Sequence, residues 1–345
     1  MIRGTSLAWL GLTLLLACHS FFPGFAMAEV GRQWEWVNPL PQGQTLDDFA
    51  VVDEEVIYSA GVGGTVLRSG DGGATWTILP TGTTAWLQSV DFTDRLTGTI
   101  VGEANLAGLI LRTTDGGQSW QQQGSDPLPW LTSVDFIDAD TGVIVGWEGT
   151  ILWTTDGGAT WTPQVSGTTE RLESVHLFDA SQAVAVGIGG VICRTTDAGA
   201  TWHIIPSTTT ERLESVHFGG PDHGAAVGNN GTVLYSYNGG ANWSARASGT
   251  SDWLDQVVYC NSDTAVAVSG QGAMIVSTNG GINWGPLAPP RPGHWNAVDF
   301  TVEEGILLSG GVGSLWRSDP SWTVWSNAQT GPTESLTGVA RVTSD

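Results

Sequence analysis

One nine-residue phrase recurs along this chain, and its period limits the fold more than any other feature. It reads RSGDGGATW at 68–76, RTTDGGQSW at 112–120, WTTDGGATW at 153–161, RTTDAGATW at 194–202, YSYNGGANW at 235–243 and VSTNGGINW at 276–284. A seventh copy, WRSDPSW at 316–322, is shorter by two residues. The closing tryptophans are Trp76, Trp120, Trp161, Trp202, Trp243, Trp284 and Trp322, spaced by 44, 41, 41, 41, 41 and 38 residues. A period of roughly 40–50 residues with strand-like segments between turns is the signature of propeller blades, each burying its faces against its neighbours. The 345 residues are therefore read as one ring and not as two domains.

The rest of the unit is equally regular. LTSVDF (131–136) opens one repeat, and LQSVDF, LESVHL, LESVHF, LDQVVY and WNAVDF open five others from 87, 172, 213, 254 and 295; LDDFAV (46–51) opens the first. In the unit ending at Trp161, strand A is Leu131–Phe136, B is Val143–Val145, C is Thr150–Thr154, and D starts at Thr160. Val143 and Val145, then Ile151 and Trp153, alternate with period two between Gly-rich turns. The repeated phrase falls in the C–D hairpin. Its Asp or Asn side chain accepts backbone N–H bonds inside a turn, its Gly supplies positive φ, and its Trp buries a large area between sheets. Asp71, Asp115, Asp156, Asp197, Asn238, Asn279 and Asp319 take that turn position and are assigned a structural role. The expected fold is all-β: a seven-bladed β-propeller of four-stranded antiparallel blades. Two segments are in excess, Trp34–Val37 resembling strand D and Leu336–Val342 resembling strand A, and one of them is expected to complete the last blade.

The N-terminus reads as an export signal over residues 1–28, followed by a single propeller domain over 29–345. Arg3 gives the positive start, Leu7–Ala17 the apolar run and Ala26-Met27-Ala28 the small-x-small cleavage site. A lipoprotein signal ending at Cys18 is the alternative. The expected location is periplasmic or extracellular. The chain has no Lys: all 12 basic residues are Arg, against 34 acids, and the sequence after residue 28 carries 11 − 34 = −23. That charge argues against nucleic acid or anionic lipid as partner, and for a soluble monomer with no membrane insertion once the signal is cleaved. Cys193 takes the repeat position of Leu67, Leu111, Leu152 and Leu234, which makes it a core residue. It sits two blades from Cys260, too far for a disulfide.

The repeated turn is the Asp-box, or BNR repeat. From about Trp34 to Trp325 the chain resembles the photosystem II assembly and stability factors, the Ycf48/HCF136-like family. The resemblance rests on the Asp-boxes and on the phrase seen at Val145–Trp153 and more loosely at Val62–Arg68. It implies a seven-bladed propeller that assists a membrane-protein assembly intermediate without catalysing a reaction. Photosynthetic members use an arginine-rich patch for that client. Here only Arg171 and Arg212 repeat ahead of strand A, so the fold carries over better than the client.

In an A–B–C–D meander the D–A and B–C loops share the face opposite the Asp-boxes. The residue ahead of strand A reads Trp86, Trp130, Arg171, Arg212, Trp253 and His294, and the B–C loops add Glu103, Trp147, Glu148, Asn229 and Asn230. Trp86, Trp130, Trp147, Arg171, Arg212 and Trp253 are the expected partner-binding residues, because aromatics beside Arg are typical of interface hot spots. If they bind a partner, replacing Arg171 and Arg212 is expected to change folding little, since surface pairs with Glu173 and Glu214 are weak; the alternative is that the tryptophans cap blade cores and the arginines pair with those two acids. One strand A position reads Asp91, Asp135, His176, His217, Val258 and Asp299; it is expected to line a wet channel, with no metal and no cofactor. A sialidase-like glycoside hydrolase needs an arginine triad and a Tyr nucleophile. Arg68, Arg112, Arg194 and Arg317 precede Asp-boxes on the wrong face, and no nucleophile elbow, zinc motif or phosphate loop is present. No catalytic residue is assigned. A glycan-binding surface protein is the other alternative.

Overall fold

The computed structural model describes residues 44–302 and 305–327. The export signal, Trp34–Val37 and Leu336–Val342 lie outside these residues. Seven antiparallel sheets of four strands each form the ring, every sheet built from consecutive strands in A–B–C–D order. The inner strands are Leu46–Val51, Trp86–Phe92, Leu131–Phe136, Leu172–Asp179, Leu213–Phe218, Gln256–Tyr259 and Trp295–Phe300. Most carry a register shift after their first residue, as between Leu172 and Ser174. This bulge turns one side chain per blade toward the channel mouth.

Apolar side chains of adjacent blades meet in shared clusters. Val143, Val145 and Trp153 of the third blade pack with Leu172, Val175, Ala185 and Cys193 of the fourth. Cys193 is fully buried, and burial pushes its thiol up to about 12. The ring closes where Leu46, Phe49, Ile57 and Trp76 of the first blade meet Ala297, Leu307 and Leu315 of the seventh. That closure needs no borrowed strand. The seventh blade takes its D strand, Trp325–Asn327, from the chain that directly follows its C strand. The four strands of this blade are thus all supplied by described residues.

Two smaller corrections come from the Asp-box turns. In the third blade strand D begins at Thr162, because Thr160 still belongs to the turn and donates to Asp156. In the seventh blade the register identifies Trp325, not Trp322, as the repeat tryptophan. Arg68 pairs with Thr77, the residue after Trp76, and Arg317 pairs with Ser326, the residue after Trp325. The last spacing, from Trp284 to Trp325, is then 41 like its predecessors. Asp319 stands one place early and Pro320 occupies the usual Asp position. Asp319 still closes the turn, accepting from the amides of Thr323 at 3.1 Å and Val324 at 3.0 Å.

The complete turns share one bonding scheme. Asp156 Oδ1 accepts from Thr154 Oγ1 at 2.8 Å and the Thr160 amide at 2.8 Å, while Oδ2 accepts from Thr160 Oγ1 at 2.7 Å. Asp71, Asp115 and Asp197 repeat it, and Asn238 and Asn279 keep the amide bond. The residue after the Asp adopts positive φ, which Gly supplies at 72, 116, 157, 239 and 280, and which Ala198 adopts at 57°.

Candidate functional site at the channel mouth

The face made by the D–A and B–C loops is locked by the backbone before any side chain is considered. In four blades the B–C loop is a single 3-10 turn whose first amide donates to the carbonyl ahead of strand A. Trp147 donates to Trp130 at 2.8 Å, Ile188 to Arg171 at 3.0 Å, Asn229 to Arg212 at 3.0 Å and Val62 to Thr45 at 3.0 Å. The glycine that ends strand B makes this possible. A Cβ on Gly146 would stand 2.2 Å from the Trp130 carbonyl oxygen, so no other residue fits without moving that loop.

On this frame the expected site residues come together in one sector. The Trp130 and Trp147 rings meet edge to face with centroids 4.6 Å apart. The Arg171 guanidinium lies over Trp147 at 5.2 Å from the ring centroid, a cation–π contact. Arg171 also holds Glu173, Nε donating to Oε2 at 2.7 Å. Arg212 bridges Glu173 Oε1 at 2.7 Å and Glu214 Oε2 at 2.9 Å. The paired arginines are present as expected, but the pairs are not superficial. The Glu173 side chain is only 4% exposed, against 24% and 32% for the two arginines. The bulge places Glu173 inward, where the guanidiniums supply its main contacts.

Trp86 and Trp253 stand elsewhere on the rim, 46% and 50% exposed. The Trp86 indole donates to Asp47 Oδ2 at 2.7 Å. The Trp253 amide donates to Gln271 Oε1 at 2.9 Å. A cavity of about 320 Å³, lined by Trp86 but not by Trp253, opens at the mouth. Its floor is one side chain per blade, the second residue of each inner strand segment: Asp47, Gln88, Thr132, Glu173, Glu214, Asp255 and Asn296. Apart from Glu173 and Glu214, named only as arginine partners, sequence reasoning missed this ring. Its signal was legible, since this position is polar in all seven repeats. Burial raises the Asp47 and Asp255 carboxyls, and raises Glu214 to about 7.

Below the mouth, inner-strand side chains stitch the blades together. At six interfaces the third residue accepts an amide of the next blade, from Val90 N to Asp48 Oδ2 at 3.0 Å to Val298 N to Gln256 Oε1 at 2.6 Å. Two residues deeper, Asp91 accepts from Phe136 N at 2.7 Å, Asp135 from Leu177 N at 2.6 Å, and His217 Nδ1 from Tyr259 N at 3.2 Å. These acids and imidazoles are engaged in the ring's own backbone, a role beyond lining water. Burial raises Asp91 and Asp299 to about 7 and lowers His176 and His217 to about 4 and about 3. Among the described residues no group of three His, Cys, Asp or Glu side chains is arranged to hold a metal.

A family model described as photosynthesis system II assembly factor YCF48 matches residues 26–129 and 126–210, more than half the chain. This chain belongs to the Ycf48 family. No curated protein matches its sequence. Among solved structures, one described as YCF48 bound to D1 peptide is 24% identical, with a TM-score of 0.68, covering 86% of this chain and 97% of the other. YCF48 from Cyanidioschyzon merolae is 19% identical, with a TM-score of 0.67, covering 82% and 98%. The GH74 xyloglucanase of Xanthomonas campestris is 14% identical, with a TM-score of 0.65, covering 86% of this chain and 54% of its own. At these identities the three structures establish a common fold.

In this Ycf48-family propeller the remaining C-strand arginines serve the Asp-box side. Arg112 is buried and donates to Thr99 Oγ1 at 2.7 Å. Arg194 donates to the Gly239 carbonyl at 2.7 Å. Arg68 donates to the Tyr58 hydroxyl at 3.2 Å. None of the three lines the mouth cavity, where Arg171 and Arg212 are the only guanidiniums among the described residues. An arginine triad of the sialidase kind is not assembled there.

Proposed function

We propose that this chain is a non-enzymatic assembly propeller, exported from the cytoplasm, that holds a protein partner at the mouth formed by the D–A and B–C loops. One observation carries the reading. Trp86, Trp147 and Trp253 remain 46%, 37% and 50% exposed on the face of the mouth, and Trp86 lines its cavity. Leaving three indoles in water is costly unless a partner covers them, and Trp beside Arg dominates the energetics of many interfaces. The Ycf48-family match supports an assembly role, and the D1 peptide in the solved relative supports a peptide as the kind of partner. Export is supported by Arg3, the apolar run Leu7–Ala17 and the Ala26–Ala28 motif.

The test is a pull-down from envelope extract with the protein lacking residues 1–28 as bait, beside a Trp86→Ala/Trp253→Ala variant. The variant should lose the captured partner while circular dichroism and melting temperature remain those of the parent. Equal capture by a folded variant would overturn the mouth as the binding site.

A further inference from the structure

The exposed rim of the mouth also carries information about what it covers. We infer that its occupant is a basic segment, whose Arg or Lys side chain enters the cavity and is held by Asp47 and Asp255 against the faces of Trp86 and Trp253. This inference rests on the mouth being the partner site and adds the chemistry of the partner.

The argument is one of charge complementarity on an aromatic rim. Five carboxylates line the cavity, Asp47, Asp48, Glu173, Glu214 and Asp255, against two guanidiniums, Arg171 and Arg212. Both guanidiniums are committed: Arg171 to Glu173, and Arg212 to Glu173 and Glu214. Neither is open to an incoming anion. Asp47 and Asp255 are held by neutral groups instead. Asp47 accepts from the Trp86 indole and from Asn296 Nδ2 at 3.2 Å, and Asp255 accepts from the Gly270 amide. No described residue forms an ion pair with either, so the mouth has an excess of negative charge in a partly desolvated site.

Asp47 has an exposed indole bonded to it, that of Trp86, and Asp255 has an exposed indole close to it in the chain, that of Trp253 two residues before. A carboxylate beside an aromatic face suits a guanidinium or ammonium, which gains a charge-assisted hydrogen bond and a cation–π contact together. An acidic segment meets the opposite: occupied arginines and three further carboxylates, whose like charge disfavours it. The protein cannot fill the site with a lysine of its own, because it contains none.

The experiment uses the protein lacking residues 1–28 and three short probe peptides of one length, carrying two arginines, two glutamates or two alanines, with binding followed by calorimetry. The arginine peptide should bind, weaken as salt is raised, and lose about tenfold in affinity in Asp255→Asn, with a similar loss in Asp47→Asn. The glutamate peptide should not bind. Tighter binding of the glutamate peptide, no binding of the arginine peptide at millimolar concentration, or unchanged arginine-peptide affinity in both folded Asn variants would each overturn the assignment. The Trp86→Ala/Trp253→Ala variant separates this inference from the reading beneath it. If the double variant loses the native partner while the arginine peptide is indifferent to the Asp substitutions, the mouth is the site and only its charge preference is wrong. If partner capture ignores the double variant, the mouth itself is not the site.

Discussion

Removing Arg171 and Arg212 together should destabilise the ring well beyond what surface arginines cost. Exposed ion pairs contribute at most about 1 kcal/mol each. Glu173, however, is 4% exposed and takes both guanidiniums. The double variant Arg171→Ala/Arg212→Ala leaves a buried carboxylate without a cation, a change that costs about 3–5 kcal/mol. Water already reaches a quarter to a third of each arginine side chain, so the lower end applies, about 3 kcal/mol. With about 2.1 cal/mol/K of unfolding entropy per residue over the whole ring, that is a fall in melting temperature of about 5 °C. The diagnostic step is a third substitution. Adding Glu173→Gln removes the stranded charge and should restore at least half of the loss, although it deletes a native group. Urea denaturation of the parent, double and triple variants measures all three stabilities. A double variant within about 1 kcal/mol of the parent, or a triple variant less stable than the double, would refute the buried-pair reasoning.

Stability should also rise as pH falls from 8 to about 6.5. Asp48, Asp91, Asp135, Asp299 and Glu214 are raised by burial to about 6, 7, 6, 7 and 7. A raised carboxyl contributes stability that is complete below its unfolded pKa and is lost as pH climbs through the folded one. His176 and His217, lowered by burial, act oppositely below the unfolded imidazole value and offset part of the gain there; urea midpoints across this range test it, and a flat profile from 8 to 6.5 would contradict it. Ala198→Gly should stabilise by up to about 1 kcal/mol, because Ala198 holds φ at 57° where five other turns use Gly; an unchanged melting temperature would show that the turn relaxes without cost. Asp156→Ala should lower the melting temperature by a few degrees through its lost turn bonds and leave partner capture intact, since the Asp-boxes face away from the mouth; reduced capture at unchanged melting temperature would count against that placement.

Seven repeats, four strands per repeat and the structural role of the Asp-box were all legible in the sequence. They are consequences of local chemistry: period-two alternation, Gly at positive φ, and an Asp that accepts amides within its own turn. The position of Cys193 in the core followed from the same periodicity. The tertiary structure decided what depends on neighbours. Trp325 is the seventh repeat tryptophan because strand pairing sets the register, whereas the shortened phrase WRSDPSW pointed to Trp322. Within the described residues the last blade has four strands because Trp325–Asn327 pairs with the C strand it follows, a register the shortened phrase hides. The rim residues ahead of strand A could be listed from the repeat, but not their couplings. Trp130, Trp147, Arg171, Glu173 and Arg212 come from three blades and meet only when the ring curves them together. Above all, the burial of Glu173 and the open carboxylate of Asp47 arise from the bulges that most inner strands carry. Those bulges aim one side chain per blade at a common axis, a direction that sequence order does not encode.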